Sequence, residues 1–320
     1  MRNFKKILIL YPGLSDINDS KTLNDKNLEL FMKKLFINGE KEKIKFYRAP
    51  TYWFNLNEKC FDKSWILKND KWVIVNKIIP DIIFDRCPYS LELISAKNKI
   101  ASIFKFVNNP IFDEIASNKF ITYSLLKKWM PKSYLIYNRD ELNKKICNSK
   151  DSQFIIKPNI GQKRIGVKII SKKEARNIKI NEPMLLQEFI DSHYGISNIV
   201  KNIHDLRVII FNKKIFGSYV RVAQKGSFLA NIAQGGNRII IKKKDIPKNV
   251  STIVKKVIKE MNCFDNLIYS IDFILSKKQK PYILEINSRP GFAIGDKNSK
   301  IFFDNYCKEI IKYFSEMNLK

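Results

Sequence analysis

The sequence predicts an α/β (α+β) protein with two or three domains, and three observations support this fold class. Apolar strand-like runs alternate with helix-like segments over the first 110 residues. The chain has 320 residues, 45% of them hydrophobic and 12% aromatic, which is enough to bury a large core. Two strand-like segments near the C-terminus, 269–275 and 281–287, alternate apolar residues with a few polar ones.

The net charge of +28 invites a nucleic-acid interpretation. However, the lysines are spread along the whole chain without a long basic block, and the abundance of Lys, Ile and Asn is typical of an AT-rich genome. Nucleic acid is therefore the weaker partner hypothesis. An acidic ligand such as a nucleotide would still be attracted to this surface.

The sequence gives little support for a membrane protein, a disulfide-stabilised protein or a zinc protein. The first apolar run, Ile7–Tyr11, is too short for a signal peptide or a spanning helix, so we expect a cytoplasmic protein. The five cysteines have no CxxC spacing, which argues against a disulfide framework and a zinc site. Only His193 and His204 are available for histidine chemistry.

Residues 1–110 read as a small α/β domain. Its loops at strand ends, Tyr11–Asp16 and Asp85–Tyr89, are where such a sheet would present a substrate pocket. Arg86 could meet a carboxylate there, although an exposed surface arginine is the commoner arrangement. The predicted elements are a strand over Lys6–Gly13, a helix near Asp25–Phe36, and strands at Lys45–Tyr47, Trp72–Val75 and Asp81–Arg86.

The middle of the chain begins with one long predicted helix, Asp113–Met130, on which Lys119 alone would be a solvated lysine. A strand, Gln153–Pro158, then runs into the loop Gly161–Gly166. Its glycines and basic residues can bind phosphates, although a plain hairpin is about as good an explanation. The loop matches neither the P-loop nor the dinucleotide-binding pattern.

The strand Met184–Asp191 is interrupted by Gln187-Glu188, which suggests a hinge that recognises a base edge; the alternative is a plain edge strand. A hairpin follows, and its Arg207 and Arg221 are candidates for anion contacts. The remaining predicted elements are a strand at Tyr134–Tyr137, hairpin strands at Asp205–Phe211 and Ile215–Val222, a flexible turn at Phe228–Gly236, and helices at Ser251–Met261 and Ile301–Phe314.

Asp272, Glu285 and Asn287 are the strongly polar residues of the two C-terminal strands. Glu285 and Asn287 are two residues apart and face the same side, and a hairpin would add Asp272. Two carboxylates and an amide are hard oxygen ligands that suit Mg²⁺. The alternative is a polar strand face that meets water.

In this order, residues from about 115 to 295 resemble the ATP-grasp carboxylate–amine ligases, especially the ligases that add glutamate to a ribosomal protein, and next the glutathione synthetases. The motifs that carry the resemblance are Asn118-Lys119, Phe154–Pro158 with Gly161–Gly166, Leu186–Ile190, Asp205–Arg207, Arg221, Asn231 with Gly235-Gly236, Asp272, and Glu285 with Asn287–Gly291.

The resemblance implies an ATP-grasp fold with an N-terminal α/β domain (1–110), a linker helix and lid (111–192) and a C-terminal catalytic subdomain (193–320). It implies that Lys119 and Lys157 hold the ATP phosphates, that the Gly161–Gly166 loop closes over them, and that Arg207 joins the nucleotide contacts. The adenine hinge would be Gln187, Glu188, Phe189 and Ile190, with Asp191 as the ribose-binding acid.

The resemblance further implies that Asp272, Glu285 and Asn287 bind two Mg²⁺ ions, with Mn²⁺ as a substitute. Arg221 and Asn231 would lie near the transferred phosphoryl group, and Arg289 would border the acceptor site. The implied reaction joins a small-molecule or peptide carboxylate to an amine through an acyl-phosphate, releasing ADP and phosphate. Homo-oligomers are common among such enzymes. The alternatives are an ATP-grasp phosphotransferase, a ligase with a non-amine acceptor, and a non-catalytic basic protein that binds nucleic acid or nucleotide.

Overall fold

The computed structural model describes residues 4–11, 26–161, 165–223, 237–291 and 296–318. The chain forms two compact units. The first unit combines 1–110 with 264–268 and 289–320, and the second combines 111–263 with 269–288. The C-terminal residues thus belong with the N-terminal ones. The division into three domains stays a prediction.

The first unit is built on a seven-stranded mixed sheet, in which β1 pairs in parallel with β2 on one side and with β6 on the other. The strand order is β3-β4-β2-β1-β6-β7, with β5 paired to β4. Its elements are β1 (Lys5–Leu10), α1 (Lys26–Lys41), β2 (Ile44–Ala49), β3 (Phe54–Asn55), β4 (Cys60–Lys68), β5 (Lys71–Ile78), β6 (Ile82–Asp85), α2 (Leu91–Ala101), β7 (Lys105–Val107) and α8 (Lys297–Glu316).

Helices cover both faces of this sheet because the parallel strands are apolar on both sides. On one face, Leu8 and Ile83 belong to a buried cluster with Ile100 of α2. On the other face, Phe84 packs against Phe314 of α8, and α1 contacts α8. This doubly covered sheet confirms the predicted α/β fold class, whereas the domain boundary at residue 110 stays a prediction.

The second unit contains two antiparallel sheets, with strand orders β10-β9-β11-β8 and β14-β13-β12-β15-β16. Its elements are α3 (Pro110–Ser117), α4 (Lys119–Leu126), β8 (Ser133–Ile136), α5 (Arg139–Cys147), β9 (Gln153–Pro158), β10 (Lys168–Ser171), α6 (Lys172–Ala175), β11 (Met184–Glu188), β12 (His204–Phe211), β13 (Lys214–Val222), β14 (Asn237–Ile241), α7 (Lys248–Glu260), β15 (Ile268–Leu275) and β16 (Pro281–Asn287).

One prediction about this unit is wrong. The helix expected over Asp113–Met130 is two helices, because the side chain of Asn118 accepts hydrogen bonds from the first backbone N–H groups of α4 and so starts a new helix. For the strand containing Gln187, the alternative of a plain edge strand is excluded, since β11 pairs with β8 on one side and β9 on the other.

Several elements follow weak sequence signals and were not predicted, among them β4, α2 and α5. By contrast, β9 has the predicted bounds, and the hairpins β12–β13 and β15–β16 form where the alternating residues place them. Within the described ranges, none of the helices combines the length and apolar character needed to cross a membrane.

Candidate active site

The hairpin of β15 and β16 brings Asp272, Glu285 and Asn287 together. Asp272 lies directly opposite Glu285 in the antiparallel register. The Asn287 Nδ2 group donates to Asp272 Oδ2 at 3.3 Å and to Glu285 Oε1 at 3.1 Å. Oxygen-bearing groups from three positions therefore converge on one face of the sheet.

Two arginines, Arg207 of β12 and Arg221 of β13, also hold Asp272. Arg207 donates from Nε to Asp272 Oδ1 at 2.6 Å and from an Nη nitrogen to Oδ2 at 2.5 Å. Arg221 donates to the same Oδ2 at 2.7 Å. Asp272 has no exposed surface. The carboxylate is thus fixed by a bidentate contact from Arg207 and a single contact from Arg221.

The electrostatics of this cluster favour charged arginines. Burial alone would lower the pKa of Arg207, but the Asp272 carboxylate outweighs it and holds that pKa above its ordinary value. Burial and the like charge of Arg207 act in the same way on Arg221, yet Asp205 and Asp272 together raise its pKa. Asp205 accepts from Arg221 Nε at 2.5 Å.

Lys157 lies near the end of β9 in a buried polar chain that crosses three strands. Its Nζ donates to Gln187 Oε1 at 3.0 Å, and Gln187 Nε2 donates to Ser133 Oγ at 2.8 Å. All three side chains are buried. Gln187 therefore orients the ammonium group rather than meeting solvent.

Lys119 is not a solvated helix lysine, because the break at Asn118 makes it the first residue of α4. Its Nζ donates to the carbonyl oxygen of Gly161 at 3.1 Å and lies 3.4 Å from that of Asn159. Burial lowers the pKa of Lys119, although Glu285 and Glu182 oppose this effect. The lysine is thus tied to the glycine-containing loop.

A cleft of about 1160 Å³, including its open mouth, lies between the two sheets of the second unit. Its lining is mostly apolar with a few converging polar groups, as in sites that bind small molecules. The predicted site residues that line it are Lys119, Lys157, Gly161, Gln187, Glu188, Phe189, Ile190, Asp191, Asp272, Glu285 and Asn287.

Sequence reasoning assigned no role to the apolar walls of the cleft or to one acid. The walls include Ile155, Ile169 and Leu284, and the acid is Asp205. Alternation gives a signal for the first of these, since Ile155 is two residues before Lys157 and faces the same side of β9. No local pattern marks Asp205, whose partner Arg221 is on the next strand.

The other predicted residues lie elsewhere. Within the described part of the chain, Arg207 and Arg221 support Asp272 from beneath and are not among the lining residues. Gly166 has φ +77°, and a Cβ there would lie 2.8 Å from Pro158 Cγ, so the loop needs glycine at this point. Arg289 belongs to the first unit. Asn231, with Gly235 and Gly236, lies outside the described residues.

Comparison with known proteins gives a family for this chain. The model of the RimK-like ATP-grasp domain matches residues 116–314. A probable alpha-L-glutamate ligase from Coxiella burnetii is 26% identical over 170 residues, which is 51% of this chain and 51% of that protein. One from Vibrio parahaemolyticus is 24% identical over 186 residues, covering 55% and 57%. The chain spans about half the length of the curated relatives it matches.

Solved structures share the fold over nearly the whole chain. D-cycloserine synthetase DcsG has a TM-score of 0.62 and 10% identity, covering 95% of this chain and 99% of that one. D-alanine–D-alanine ligase from Bacillus anthracis has a TM-score of 0.61 and 14% identity, covering 98% and 97%. The fold is therefore that of the ATP-grasp ligases, and the family-model match over more than half of the chain shows that it belongs to the RimK-like ATP-grasp family.

Proposed function

We propose that this chain is an ATP-dependent ligase that joins a carboxylate to an amine and releases ADP and phosphate. The observation that carries the proposal is the composition of the cleft. Two lysines, Lys119 and Lys157, line the same space as the carboxylates of Asp272 and Glu285. A bound nucleoside triphosphate requires cations that contact its phosphates and oxygen ligands that hold its divalent ion.

The base of the nucleotide fits the apolar part of the cleft. Ile155 and Ile169 form one wall, and Leu284 is on the opposite sheet. The segment from Glu188 to Asp191 follows directly where β11 ends, so its backbone groups supply base contacts and Asp191 is the ribose contact. Gln187, fixed by Lys157 and Ser133, keeps this segment in place.

The residues present fit the divalent cation that ATP-grasp ligases use. Asp272, Glu285 and Asn287 would hold two Mg²⁺ ions, or Mn²⁺ in their place. The Asn287 Nδ2 group now contacts both carboxylates, so a 180° rotation of the amide would turn its oxygen toward the same point. Bound there, Mg²⁺ neutralises charge on the transferring phosphoryl group.

The reaction itself needs no side-chain nucleophile. A substrate carboxylate oxygen attacks the γ-phosphorus and the bond to the bridging oxygen of ADP breaks. The amine then attacks the acyl carbon, phosphate leaves, and the amine loses a proton. We propose that Lys119 and Lys157 stabilise the negative charge, and that Arg221 acts through Asp272, to which it donates a hydrogen bond. Segment 111–192 closes as a lid that excludes water from the acyl-phosphate.

The test is ADP release from Mg-ATP with a panel of carboxylic acids and amines. The names of the curated relatives make L-glutamate the first amine to try, and peptides the first carboxylates. We expect turnover to require one acid–amine pair. Glu285→Gln should abolish it, whereas Glu260→Gln, which removes an exposed carboxylate from α7, should leave it unchanged.

Other outcomes identify the alternatives. ADP formed with a single hydroxyl substrate would make the protein a phosphotransferase. Binding of RNA or DNA that survives high salt, without ATP turnover, would favour the non-catalytic basic protein. ATP binding and turnover that do not change on removal of Mg²⁺ would contradict the metal assignment. Light scattering of the same preparation gives the oligomeric state, and a fluorescent fusion tests the expected cytoplasmic location.

A further inference from the structure

Arg86 occupies the position in the first unit where an open α/β sheet binds ligands. It follows β6 directly, and its backbone N–H donates to the carbonyl oxygen of Leu10, the last residue of β1. From β1 the chain moves outward to β2, and from β6 it moves the other way to β7. The carboxyl ends of two such strands border a crevice at the point where strand order reverses.

A buried ion pair fixes the turn that carries Arg86. Lys97 of α2 lies 2.8 Å from Asp85 Oδ2 and donates to the carbonyl oxygen of Cys87 at 2.9 Å. Asp85 Oδ1 accepts from the backbone N–H of Cys87 at 2.8 Å. Both charged side chains are 1% exposed. Residues 85 and 87 are therefore held on both sides of Arg86.

The guanidinium of Arg86 is part-buried with little hydrogen bonding. It lies 5.6 Å from the ring centre of Phe31 and 5.7 Å from that of Phe84. Among the described residues, its one side-chain hydrogen bond is a long one, from Nη2 to the carbonyl oxygen of Pro290 at 3.4 Å. Its Nη1 is buried without a hydrogen-bond partner there. A guanidinium has five N–H donors, so most of its capacity is unused.

The charge around Arg86 also favours an anion. Burial lowers the pKa of Arg86, and the like charge of Arg289 lowers it further, while Tyr306, Asp85 and Tyr11 oppose the shift. Asp85, the acid next to it, is already paired with Lys97. A negative group bound to Arg86 would offset the like charge that Arg289 presents to it.

We propose that Arg86 binds a carboxylate group of the amino-acid substrate at the carboxyl edge of the first unit's sheet. A carboxylate accepts two parallel N–H bonds from a guanidinium and satisfies the unused donors. The inference rests on the proposed function, and it adds a residue that selects the substrate by its charge. The Asp85–Lys97 pair acts as a positioning device for that residue.

The experiment measures binding of L-glutamate to the full-length protein by calorimetry, with Mg²⁺ and a non-hydrolysable ATP analogue present. Arg86→Gln should weaken L-glutamate binding by about 10- to 100-fold, the range for losing hydrogen bonds to a charged group. Arg86→Lys keeps the positive charge but lacks the paired N–H donors of the guanidinium. Its affinity for L-glutamate should lie between those of the wild type and Arg86→Gln. Binding of the ATP analogue should stay the same in all three proteins.

A matched control is Arg176→Gln, because Arg176 is an exposed arginine of the second unit. The same titration with L-glutamine and isoglutamine, each lacking one carboxylate, shows which group Arg86 binds. For the analogue that lacks the carboxylate bound by Arg86, wild type and Arg86→Gln should bind with equal affinity. Thermal unfolding checks that each variant is folded. If Arg86→Gln is unfolded, the comparison is made between the wild type and Arg86→Lys.

Two results overturn the inference and leave the ligase proposal standing. One is ATP-analogue binding with equal L-glutamate affinity in wild type and a folded Arg86 variant. The other is absence of L-glutamate binding to the wild type. Failure of the ATP analogue to bind contradicts the proposed function itself, and the two failures are therefore distinguishable.

Discussion

At the scale of single residues, Asp272 has two roles, one in the proposed chemistry and one in stabilising the fold. It is a proposed metal ligand, and it neutralises Arg207 and Arg221, which are largely buried beside it. Glu285 is different, since its side chain is 31% exposed and lies 4.0 Å from Arg207. Loss of the Asp272 carboxylate should therefore disturb the fold, whereas loss of the Glu285 carboxylate should disturb only the chemistry.

We predict that Asp272→Asn lowers the free energy of unfolding by about 3 kcal/mol, because it leaves two buried cations with one fewer counter-charge. Glu285→Gln should change that free energy by less than about 1 kcal/mol, as for partly exposed pairs. Both should reduce ADP release by at least about 100-fold. Urea unfolding and the ADP assay check this together. Equal stability of the two variants would contradict the structural role given to Asp272.

Lys119 leads to a pH prediction. Its pKa lies below the ordinary value because of burial, so in the free protein this lysine loses its proton at a lower pH than an exposed lysine does. A bound phosphate favours the charged form and raises that pKa. ATP binding should therefore take up a proton, and ATP affinity should fall as pH rises through the lowered pKa.

Calorimetry of ATP binding in two buffers with different heats of ionisation measures the uptake. Lys119→Arg should abolish it, because an arginine at this position stays charged throughout the range. Proton uptake of the same size in that variant would assign the effect to another group.

At the scale of elements, the break between α3 and α4 matters most for the site. Asn118 caps α4, and the bridge between Asn118 and Ile160 joins the helix start to the glycine-containing loop. The cap thus fixes Lys119 as the first residue of α4 and determines which carbonyl oxygens its Nζ reaches. A continuous helix would have placed this lysine on an ordinary helical face.

We predict that Asn118→Ala costs about 1 kcal/mol of stability and also weakens ATP binding. Asn138→Ala is the matched control, since Asn138 caps α5 in the same way, but none of the described cleft-lining residues belongs to α5, whereas α4 contributes Lys119. It should cost about the same stability without affecting ATP. Thermal unfolding and nucleotide titration give the two quantities. Equal loss of ATP affinity in both variants would show that the helix break is not what positions Lys119.

Much of the element pattern was readable in advance, for physical reasons. Alternation marks β15 and β16 and predicts that a hairpin brings Asp272 to the face of Glu285 and Asn287; the register adds that Asp272 lies directly opposite Glu285. The Asn118 cap was missed because apolar spacing continues across it. Asp205 and the buried chain from Lys157 to Ser133 depend on pairing between strands that are distant in sequence, which no local pattern reports.

At the scale of the whole molecule, the net charge of +28 has a kinetic consequence. ATP carries several negative charges and is attracted over long distances, and salt screens this attraction. We predict that the association rate constant of ATP falls by about tenfold from low to high KCl. Stopped-flow fluorescence measures it, and adenosine is the uncharged control, whose rate should not change. A similar fall for adenosine would mean that salt acts on the protein rather than on the encounter.

The first unit is assembled from both ends of the sequence. Lys5 at the start of β1 donates to the carbonyl oxygens of Phe314 and Met317, at and just beyond the C-terminal end of α8, and Phe46 of β2 packs against the same Phe314 ring. During synthesis the N-terminal strands emerge long before the helix that covers one of their faces. Their apolar face must stay exposed, or be shielded by a chaperone, until α8 has been synthesised.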